Sequence, residues 1–419
     1  MSLFNLVPTA SSLAIKRSLQ STLTGTVPAS FTLATGHTFS GACYGAPTSA
    51  AGEVVFTTAL VGYPESLTDP SYAGQILVLT QPLAGNYGVP APKFEQGLSE
   101  YYESARIHAK AVIVQDYSWQ FSHRQAVSSL GAWCAAHGVP LVSGVDTRAL
   151  VGVLREQGST MGSVQVVGGP AVALPPPASG PHLVASVSTK APQVFGKGGK
   201  YKLAVMDYGV KHNILRSALK GGETEVTLLP WDFPIDEHAH KFDGILLSNG
   251  PGDPKFMTTP VKHVLGMAAG MKTYKLKYGN RGHNQPCIDL IHGGKCVITS
   301  QNHGYCLDDS TMPEGWQVYL KNANDGSNEG IWAAGGRWKA VQFHPEAWGG
   351  PTDTLYMFDE FKDQVKAFHE CGSLPSPRWI WGSNAVPYQV SVPEAFQPFQ
   401  AVKTYVFGLR LAFLGADRE

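Results

Sequence analysis

The feature that most constrains the fold is a series of short, continuous apolar runs in the second half of the chain. Strands buried on both faces have this texture, because neither face meets water and helices pack between the strands in sequence. Each run is followed by a loop, and the runs span residues 202–206, 226–229, 244–247, 296–299 and 340–343. The pattern predicts an α/β domain with a largely parallel central sheet, in which ligands bind beyond the carboxyl ends of the strands.

The segment V-Q-F-H-P-E at 341–346 follows the last of these runs. In extended backbone, residues i and i+2 point to the same side, so His344 and Glu346 can share one site. A carboxylate beside an imidazole holds the ring in one tautomer, as it does in catalytic triads. The pair is therefore a candidate general base with its orienter, and a helix is expected after it at 354–370.

Two further loops follow strand ends. The loop S-N-G-P-G-D-P holds Gly250 and Gly252, whose bare backbone amides suit an oxyanion hole, although a lone Gly-Pro-Gly is also a common tight turn. The loop S-Q-N-H-G-Y offers the Asn302 amide and the bare backbone of Gly304 to an amino-acid ligand, and alone it is equally a turn. Together the loops place possible ligand contacts near the candidate base.

The first half of the chain predicts a smaller domain of mixed α and β structure. Turn-rich segments separate short apolar strands, and one segment has apolar residues at helical spacing. We predict a helix at 124–137 and strands at 31–39, 52–56, 75–79, 111–114 and 141–143. Three consecutive prolines and a G-K-G-G stretch place the boundary between the two domains at about 170–199.

The composition excludes several classes of protein. The 419 residues include 32 Lys plus Arg and 32 Asp plus Glu, so no net field attracts nucleic acid or an acidic membrane surface. No apolar run reaches the roughly 18 residues that a spanning helix needs. The six cysteines are scattered, which suits reduced thiols better than a disulfide framework. A small, near-neutral metabolite or a protein partner is expected instead.

The first residues have the composition of a targeting segment. Residues 1–30 hold ten Ser or Thr with Lys16 and Arg17, and the first acidic residue of the chain is Glu53. Acid-free, hydroxyl-rich segments are typical of organelle transit peptides, although a disordered tail also has this composition. We therefore expect a mitochondrial transit peptide and a location in the mitochondrial matrix, with the cytoplasm as the alternative.

Two loops and a His-Pro-Glu segment, all at strand ends and in this order, resemble a class I glutamine amidotransferase domain, the family in which Cys, His and Glu hydrolyse glutamine. The first half resembles the amino-terminal domain of the carbamoyl-phosphate synthase small subunit. Four segments carry this second resemblance: G-E-V-V-F at 52–56, L-T-D-P-S-Y at 67–72, G-N-Y-G at 85–88 and S-G-V-D-T-R-A-L at 143–150. Among these small subunits, the chain is most similar to the arginine-pathway enzyme of fungi, although the sequence leaves arginine and pyrimidine pathways both open.

The resemblance implies a domain plan and a role for each site residue. It implies a small-subunit domain at 31–185, an amidotransferase domain at 200–372 and an extension at 373–419. His344 would be the general base, Glu346 its orienter, and Gly250 part of the oxyanion hole. Glutamine contacts are implied at Ser71, Gly250, Gly252, Asn302, Gly304 and Tyr305. Ser71 would reach from the first domain into the site of the second.

The same resemblance implies a partner. Ammonia released from glutamine would pass to a carbamoyl-phosphate synthase large subunit, in a heterodimer with an ammonia channel. ATP and a metal ion are expected on that large subunit, and no cofactor is expected on this chain. The stretch G-K-G-G at 196–199 agrees, because it lacks the spacing of a phosphate-binding loop.

The family pattern breaks at the nucleophile. In this family the nucleophilic cysteine sits on a Gly-x-Cys-x-Gly-His-Gln turn between a strand and a helix, and the sequence contains no such turn. The segment V-L-G-M-A-A-G at 264–270 resembles the family's residues just after that turn, so the comparison implies that about twenty residues, with a helix, a buried strand and the turn, are absent. Cys287, Cys296 and Cys306 do not follow a strand into a helix N-terminus. We therefore expect a sheet that lacks one strand and is destabilised, because each unpaired amide costs about 1 to 3 kcal/mol.

Three interpretations are compatible with this break. The chain is an amidotransferase subunit of carbamoyl-phosphate synthase in arginine biosynthesis, or it is a glutaminase-dead partner of a large subunit that uses free ammonia, or its sequence reflects an omitted exon or an erroneous gene model at the junction between 254 and 264. A zinc site is a further possibility, but its candidate ligands lack the paired short spacings of structural zinc sites. Those candidates are Cys287, His292, Cys296, His303 and Cys306.

Overall fold

The chain folds around a closed barrel and a ten-stranded open sheet. The computed structural model describes residues 26–175, 182–252, 270–333, 338–347, 349–371 and 405–409. We call residues 26–166 the barrel unit, and we call the described residues from 193 to 409 the sheet unit. Each unit has its own buried apolar core, and the candidate site lies where the two units meet.

Seven strands close the barrel. Around the barrel they are Val27–Leu33, Thr160–Val166, Ala50–Thr57, Gln75–Leu79, Ala111–Val114, Leu141–Ser143 and Thr38–Cys43. Alternate residues of the first strand, including Phe31 and Leu33, point inward and are buried, as the two-residue period of a strand requires. The strand at 111–114 is buried throughout and holds the centre of the core.

Helices and short strand pairs surround the barrel. Ser129 and Asp146 start two of the helices, because each side chain accepts a hydrogen bond from a backbone N–H of the first turn. The helices are Tyr63–Thr68, Leu130–Ala136 and Thr147–Gln157, with a 3-10 turn at Pro70–Tyr72. The short pairs join Leu83–Ala84 to Asp116–Tyr117, Val89–Pro90 to Ala126–Ser128, and Phe94–Glu95 to Leu98–Ser99.

Sequence prediction of the barrel unit was right for its buried strands and wrong at two places. The strands predicted at 75–79, 111–114 and 141–143 are confirmed to the residue. The strand predicted at 31–39 is two strands, because Gly36, with a φ of +91°, turns the chain between them. The helix predicted at 124–137 begins only after its Ser129 cap.

The sheet unit contains the ten-stranded sheet and the helices that cover it. In sheet order the strands are Gln193–Phe195, Thr224–Pro230, Tyr201–Asp207, Gly244–Leu247, Tyr405–Leu409, Trp338–Val341, Asn328–Ala333, Trp316–Asn322, Thr273–Asp289 and Lys295–Leu307. The helices from residue 182 onward are His182–Val187, His212–Leu219, Ile235–His238 and Tyr356–Cys371, with 3-10 turns at Ala239–Lys241 and Asp309–Thr311. Among the described residues, no helix is long and apolar enough to cross a membrane.

The sheet is mixed, so the prediction of a largely parallel sheet holds only for the strands at its centre. Neighbouring strands are parallel from Thr224–Pro230 to Trp338–Val341, and the pairs on either side of that stretch are antiparallel. Continuous apolar runs mark strands covered on both faces but do not give their direction. The candidate site lies at the carboxyl ends of the parallel strands.

The expected gap in the sheet is not confirmed either. We call Tyr405–Leu409 the tail strand, and it lies between Gly244–Leu247 and Trp338–Val341, parallel to both. Its three central residues have pairing partners on both sides, so the two neighbouring strands do not face an empty position. The junction between 254 and 264, where the sequence predicts absent residues, lies outside the described residues.

Candidate active site

The predicted base and orienter are in contact. His344 Nδ1 lies 2.8 Å from Glu346 Oε1, and both side chains are buried. The backbone N–H of His344 donates to the carbonyl of Ser300, which ties the pair to the strand Lys295–Leu307. The strand ends at Val341, so the pair meets across a turn and not along an extended strand as predicted. His344 Nε2 is buried and has no hydrogen-bond partner among the described residues.

A buried lysine holds the carboxylate of this dyad, by which we mean His344 and Glu346. Lys211 Nζ lies 3.0 Å from Glu346 Oε1 and 3.6 Å from Glu103 Oε1, and Glu103 belongs to the barrel unit. Burial raises the pKa of Glu346, but the charges of Lys211 and His344 outweigh burial and hold this pKa at about 2. Burial lowers the pKa of Lys211, but Glu103, Glu346 and Asp69 outweigh it and raise this pKa above its ordinary range. Glu346 is therefore ionised over the physiological pH range.

Ser71 contacts the predicted oxyanion loop from the barrel unit. Asp69 caps the 3-10 turn that carries Ser71, because its carboxylate accepts from the Ser71 N–H at 2.8 Å. Asn249 Nδ2, in the loop after strand Gly244–Leu247, donates to Ser71 Oγ at 2.9 Å. Both side chains are buried. The predicted reach of Ser71 from one unit to the other is thus present in the structure.

The two glycines of the oxyanion loop have different reasons to be glycine. A Cβ on Gly250 would lie 2.2 Å from the carbonyl oxygen of Tyr208, so no larger residue fits there. Gly252 has a φ of +92°, which side chains with a Cβ rarely adopt. The loop Ser248–Gly252 therefore needs glycine at both positions.

Asn302 reaches the site, but the residues after it do not line the same cavity. Asn302 Nδ2 donates to Asp69 Oδ2 at 3.1 Å, and Asn302, Lys211 and His344 line one cavity of about 30 Å³ between the units. Gly304 and Tyr305 are not among the residues lining that cavity. The S-Q-N-H-G-Y segment was predicted as a loop after a strand, and this is wrong, because it continues the strand Lys295–Leu307.

No thiol among the described residues contacts His344. Cys287 lies against Thr299 and Gln301, and burial raises the pKa of its thiol. Cys306 lies near the Asn328 carbonyl. A Gly-x-Cys-x-Gly pattern occurs at 41–45 without His-Gln after it, and there Cys43 ends a barrel strand and donates to the Ala46 carbonyl. The sequence from 253 to 269, between two described ranges, contains no cysteine.

The candidate zinc ligands do not converge. Among the described residues, no group of three or more His, Cys, Asp or Glu side chains could hold a metal ion. His292 instead lies 2.8 Å from Asp289, and His303 contacts Gln301 at 3.1 Å.

The sequence analysis missed Lys211, Asn249 and Glu103. Lys211 follows the carboxyl end of strand Tyr201–Asp207, so the rule that located His344 could have found it. Asn249 stands beside Gly250 in the loop already singled out. Glu103 has no local signal, because the partners of its carboxylate lie in the other unit.

Comparison with known proteins agrees with both halves of the chain. Residues 31–164 match the family described as carbamoyl-phosphate synthase small chain, CPSase domain. Residues 204–268 and 262–364 match the family glutamine amidotransferase class-I in two pieces. The two pieces share residues 262–268, beside the junction where the sequence predicts absent residues.

Whole-chain relatives lead to the same family. The carbamoyl phosphate synthase arginine-specific small chain of Neosartorya fischeri is 49% identical over 382 residues, covering 83% of this chain and 84% of the relative. The protein of the same name from Emericella nidulans is 48% identical with the same coverage. That of Neurospora crassa is 47% identical over 365 residues, covering 81% of this chain and 80% of the relative. The chain therefore belongs to the carbamoyl-phosphate synthase small chains, with a class I glutamine amidotransferase domain in its second half.

Proposed function

We propose that this chain is the amidotransferase subunit of a carbamoyl-phosphate synthase, supplying ammonia from glutamine to a large subunit for arginine biosynthesis. The observation that carries the proposal is the buried His344–Glu346 dyad, held in place by Lys211 at the carboxyl ends of parallel strands. The names of the relatives support the reaction and the pathway. Neither ATP nor a metal ion has an assigned place on this chain, and both are proposed for the large subunit.

Within this proposal, His344 is the base and Glu346 its orienter. The Gly250 loop would face the oxyanion, and the glutamine contacts remain proposed at Ser71, Gly250, Gly252, Asn302, Gly304 and Tyr305. The cavity beside Asn302 suits a polar ligand, because several buried polar atoms around it lack hydrogen-bond partners among the described residues. Ammonia would leave this site through a channel to the large subunit in a heterodimer.

The proposed division of the chain follows the same plan. Residues 31–185 would form the small-subunit domain, 200–372 the amidotransferase domain, and 373–419 an extension whose tail strand joins the sheet of the amidotransferase domain. Residues 1–30 were predicted to direct the chain to the mitochondrial matrix, but residues 27–30 belong to the barrel strand Val27–Leu33, so a cleaved segment would end before residue 27. Residues 1–25 lie outside the described part of the chain. Amino-terminal sequencing of the protein isolated from mitochondria would test the leader, since an intact Met1 on that protein would contradict cleavage.

A second candidate function is that of a structural partner for a large subunit that uses free ammonia. It is favoured by the unpartnered Nε2 of His344 among the described residues, together with the lack of a Gly-x-Cys-x-Gly-His-Gln turn in the sequence. A triad that has lost its nucleophile retains catalysis on the order of only 10³-fold over water. Such residual catalysis would not sustain glutamine turnover.

One experiment separates the two candidates. Carbamoyl phosphate formation is measured with the large subunit present, once with glutamine and once with ammonium as the nitrogen source. Product from glutamine that is lost in H344N, while ammonium still supports synthesis, is the result expected of an active amidotransferase subunit. If only ammonium supports carbamoyl phosphate formation, and adding this chain increases the yield, the result supports the structural partner. If the chain neither binds the large subunit nor changes its product yield, both candidates fail.

A further inference from the structure

Lys211 is shared between two carboxylates that come from different units. Its ammonium contacts Glu346 Oε1 of the sheet unit and lies 3.6 Å from Glu103 Oε1 of the barrel unit. The side chains of Glu103 and Glu346 are 1% and 0% exposed, and that of Lys211 is 9% exposed. Water therefore screens these charges weakly, and each carboxylate competes for the same cation.

Glu103 is held firmly against the segment that carries Lys211. Its N–H donates to Thr68 Oγ1 at 2.9 Å, and its carbonyl accepts from the His212 N–H at 2.9 Å. Its carboxylate oxygen Oε2 accepts from the Asn213 N–H at 3.1 Å. With both backbone and carboxylate fixed, Oε1 has little freedom to move away from Lys211. The distance between the two groups is therefore set by the docking of the units.

The same fixed segment also reaches the dyad directly. The side-chain amide of Asn213 donates to the backbone carbonyl of Glu346. Glu103 thus contacts Lys211 and Asn213, and each of those residues contacts Glu346. These two routes connect the barrel unit to the carboxylate that orients His344.

One carboxylate oxygen of Glu346 contacts both the His344 imidazole and the Lys211 ammonium. Oε1 lies 2.8 Å from His344 Nδ1 and 3.0 Å from Lys211 Nζ. The more of the lysine charge that acts on this oxygen, the weaker it is as an acceptor for the imidazole N–H. Glu103 draws part of that charge to itself.

We infer that Glu103 is a positioning residue of the barrel unit, which sets the strength of the His344–Glu346 hydrogen bond by sharing Lys211 with Glu346. The inference rests on the proposed roles of His344 as base and Glu346 as its orienter, and it adds a residue from the other unit to them. A purely structural Glu103 would fasten the units together without any effect on that hydrogen bond. The positioning role and the purely structural role therefore predict different strengths of the His344–Glu346 hydrogen bond when Glu103 is replaced.

The measurement is the low-field proton NMR signal of the His344 Nδ1–H in the full-length chain. A stronger hydrogen bond to a carboxylate moves such a signal further downfield. The signal is identified by its loss in H344N. E103Q leaves all of the lysine charge on Glu346, so the signal is expected to move upfield. K211M removes that charge, so the signal is expected to move downfield.

Opposite shifts in the two variants support the inference, as does a signal near its original position in E103D. E370Q is the matched control, because Glu370 pairs with Lys200 on the surface, and it is expected to leave the signal unchanged. An unchanged signal in E103Q, or shifts of the same sign in E103Q and K211M, would overturn the inference. If E103Q does not fold, K211R and K211M decide: equal shifts in both would also overturn it.

This result is independent of the proposed function. The signal requires no glutamine turnover and no large subunit. Opposite shifts in a chain that never supports carbamoyl phosphate synthesis would leave the charge sharing established while the proposed function fails. An unchanged signal in a chain that makes product from glutamine would remove Glu103 from this positioning role and leave the proposed function intact.

Discussion

The dyad and the sheet position beside it are supported in different ways. At the dyad, the buried Lys211 supplies the countercharge of Glu346 and also pairs with Glu103 of the barrel unit. At the adjacent position, backbone pairing of the tail strand with Gly244–Leu247 and Trp338–Val341 completes the sheet. The first support is electrostatic and reaches across the units, whereas the second is a local ladder of hydrogen bonds.

This difference explains how His344 and Glu346 can be held in place where no thiol among the described residues contacts His344. The parts that hold the dyad lie at Glu103, Lys211 and Asn213, far in sequence from the junction at 254–264. The tail strand pairs at the neighbouring position, and the sequence after it contains no cysteine. The residues that position His344 and Glu346 and the residues that would carry a nucleophile therefore lie in separate segments of the chain. Variants that damage one support and spare the other test this separation.

The largest loss of stability is expected when Lys211 is replaced. K211M leaves the buried carboxylates of Glu103 and Glu346 without their shared cation, and breaking a buried ion pair from one side costs about 3 to 5 kcal/mol. Urea unfolding of the full-length chain measures the loss, with K211R as the variant that keeps the charge. Hydrogen exchange at 405–409 should remain slow in folded K211M. Stability equal to that of the unmodified chain would show that the lysine is not the support of the dyad.

A somewhat smaller effect is expected at the tail strand. F407P removes an N–H from a strand paired on both sides, and the acceptor left without its ladder hydrogen bond costs about 1 to 3 kcal/mol. Hydrogen exchange should become faster at 244–247 and 338–341, while the low-field signal of His344 stays in place. F407V, with a residue that suits strands, should retain protection. Rapid exchange at 405–409 in the unmodified chain would contradict the tail strand itself.

The contrast between the two supports also explains what the sequence could predict. His344 and Glu346 were found because a short spacing and a strand end are local features. The strands at 75–79 and 111–114 were found because burial on both faces leaves an uninterrupted apolar run. Local patterns thus gave the base, its orienter and the central strands.

Other features depend on contacts between distant segments. The pairing of Glu103 with Lys211 forms only when the units dock, so neither residue carries a mark of it in its own neighbourhood. The tail strand lies in a stretch rich in proline and aromatic residues without a clear period, and its partner Gly244–Leu247 lies far before it in sequence. The direction of the strands also depends on connections and not on the apolar runs.

An intermediate effect is expected where the barrel unit contacts the oxyanion loop. S71A leaves the buried Asn249 Nδ2 without its acceptor, which costs about 1 to 3 kcal/mol. The double variant S71A/N249A should cost less than the sum of the single variants, because both act on one hydrogen bond. Urea unfolding of the three variants gives this coupling. Additive losses of stability would show that Ser71 and Asn249 contribute independently. The hydrogen bond between them would then not stabilise the contact between the units.

The smallest change in stability is expected at Glu65, a partly buried carboxylate that lines the same cavity as His344. Burial raises the pKa of both Glu65 and Glu346, but at Glu65 no charge outweighs it, so the pKa of Glu65 rises to about 7 from 4.5, and Glu103 adds to this increase. One oxygen of Glu65 is buried without a hydrogen-bond partner among the described residues. The folded chain therefore holds a proton on Glu65 that the unfolded chain has already lost, so Glu65 lowers stability increasingly as the pH rises from 4.5 to 7.

E65Q removes this penalty. A shift of 7 minus 4.5 units corresponds to at most about 3.4 kcal/mol at about 1.4 kcal/mol per unit, and partial exposure of Glu65 reduces the expected gain to about 1 to 2 kcal/mol. E65Q should be more stable than the unmodified chain at pH 8 and equally stable at pH 4, with E370Q unchanged at both. Urea unfolding at the two pH values checks this. If E65Q were less stable at pH 8, the charges of Lys211 and Arg216 would outweigh the burial of Glu65, and Glu65 would then behave like the cation-paired Glu346.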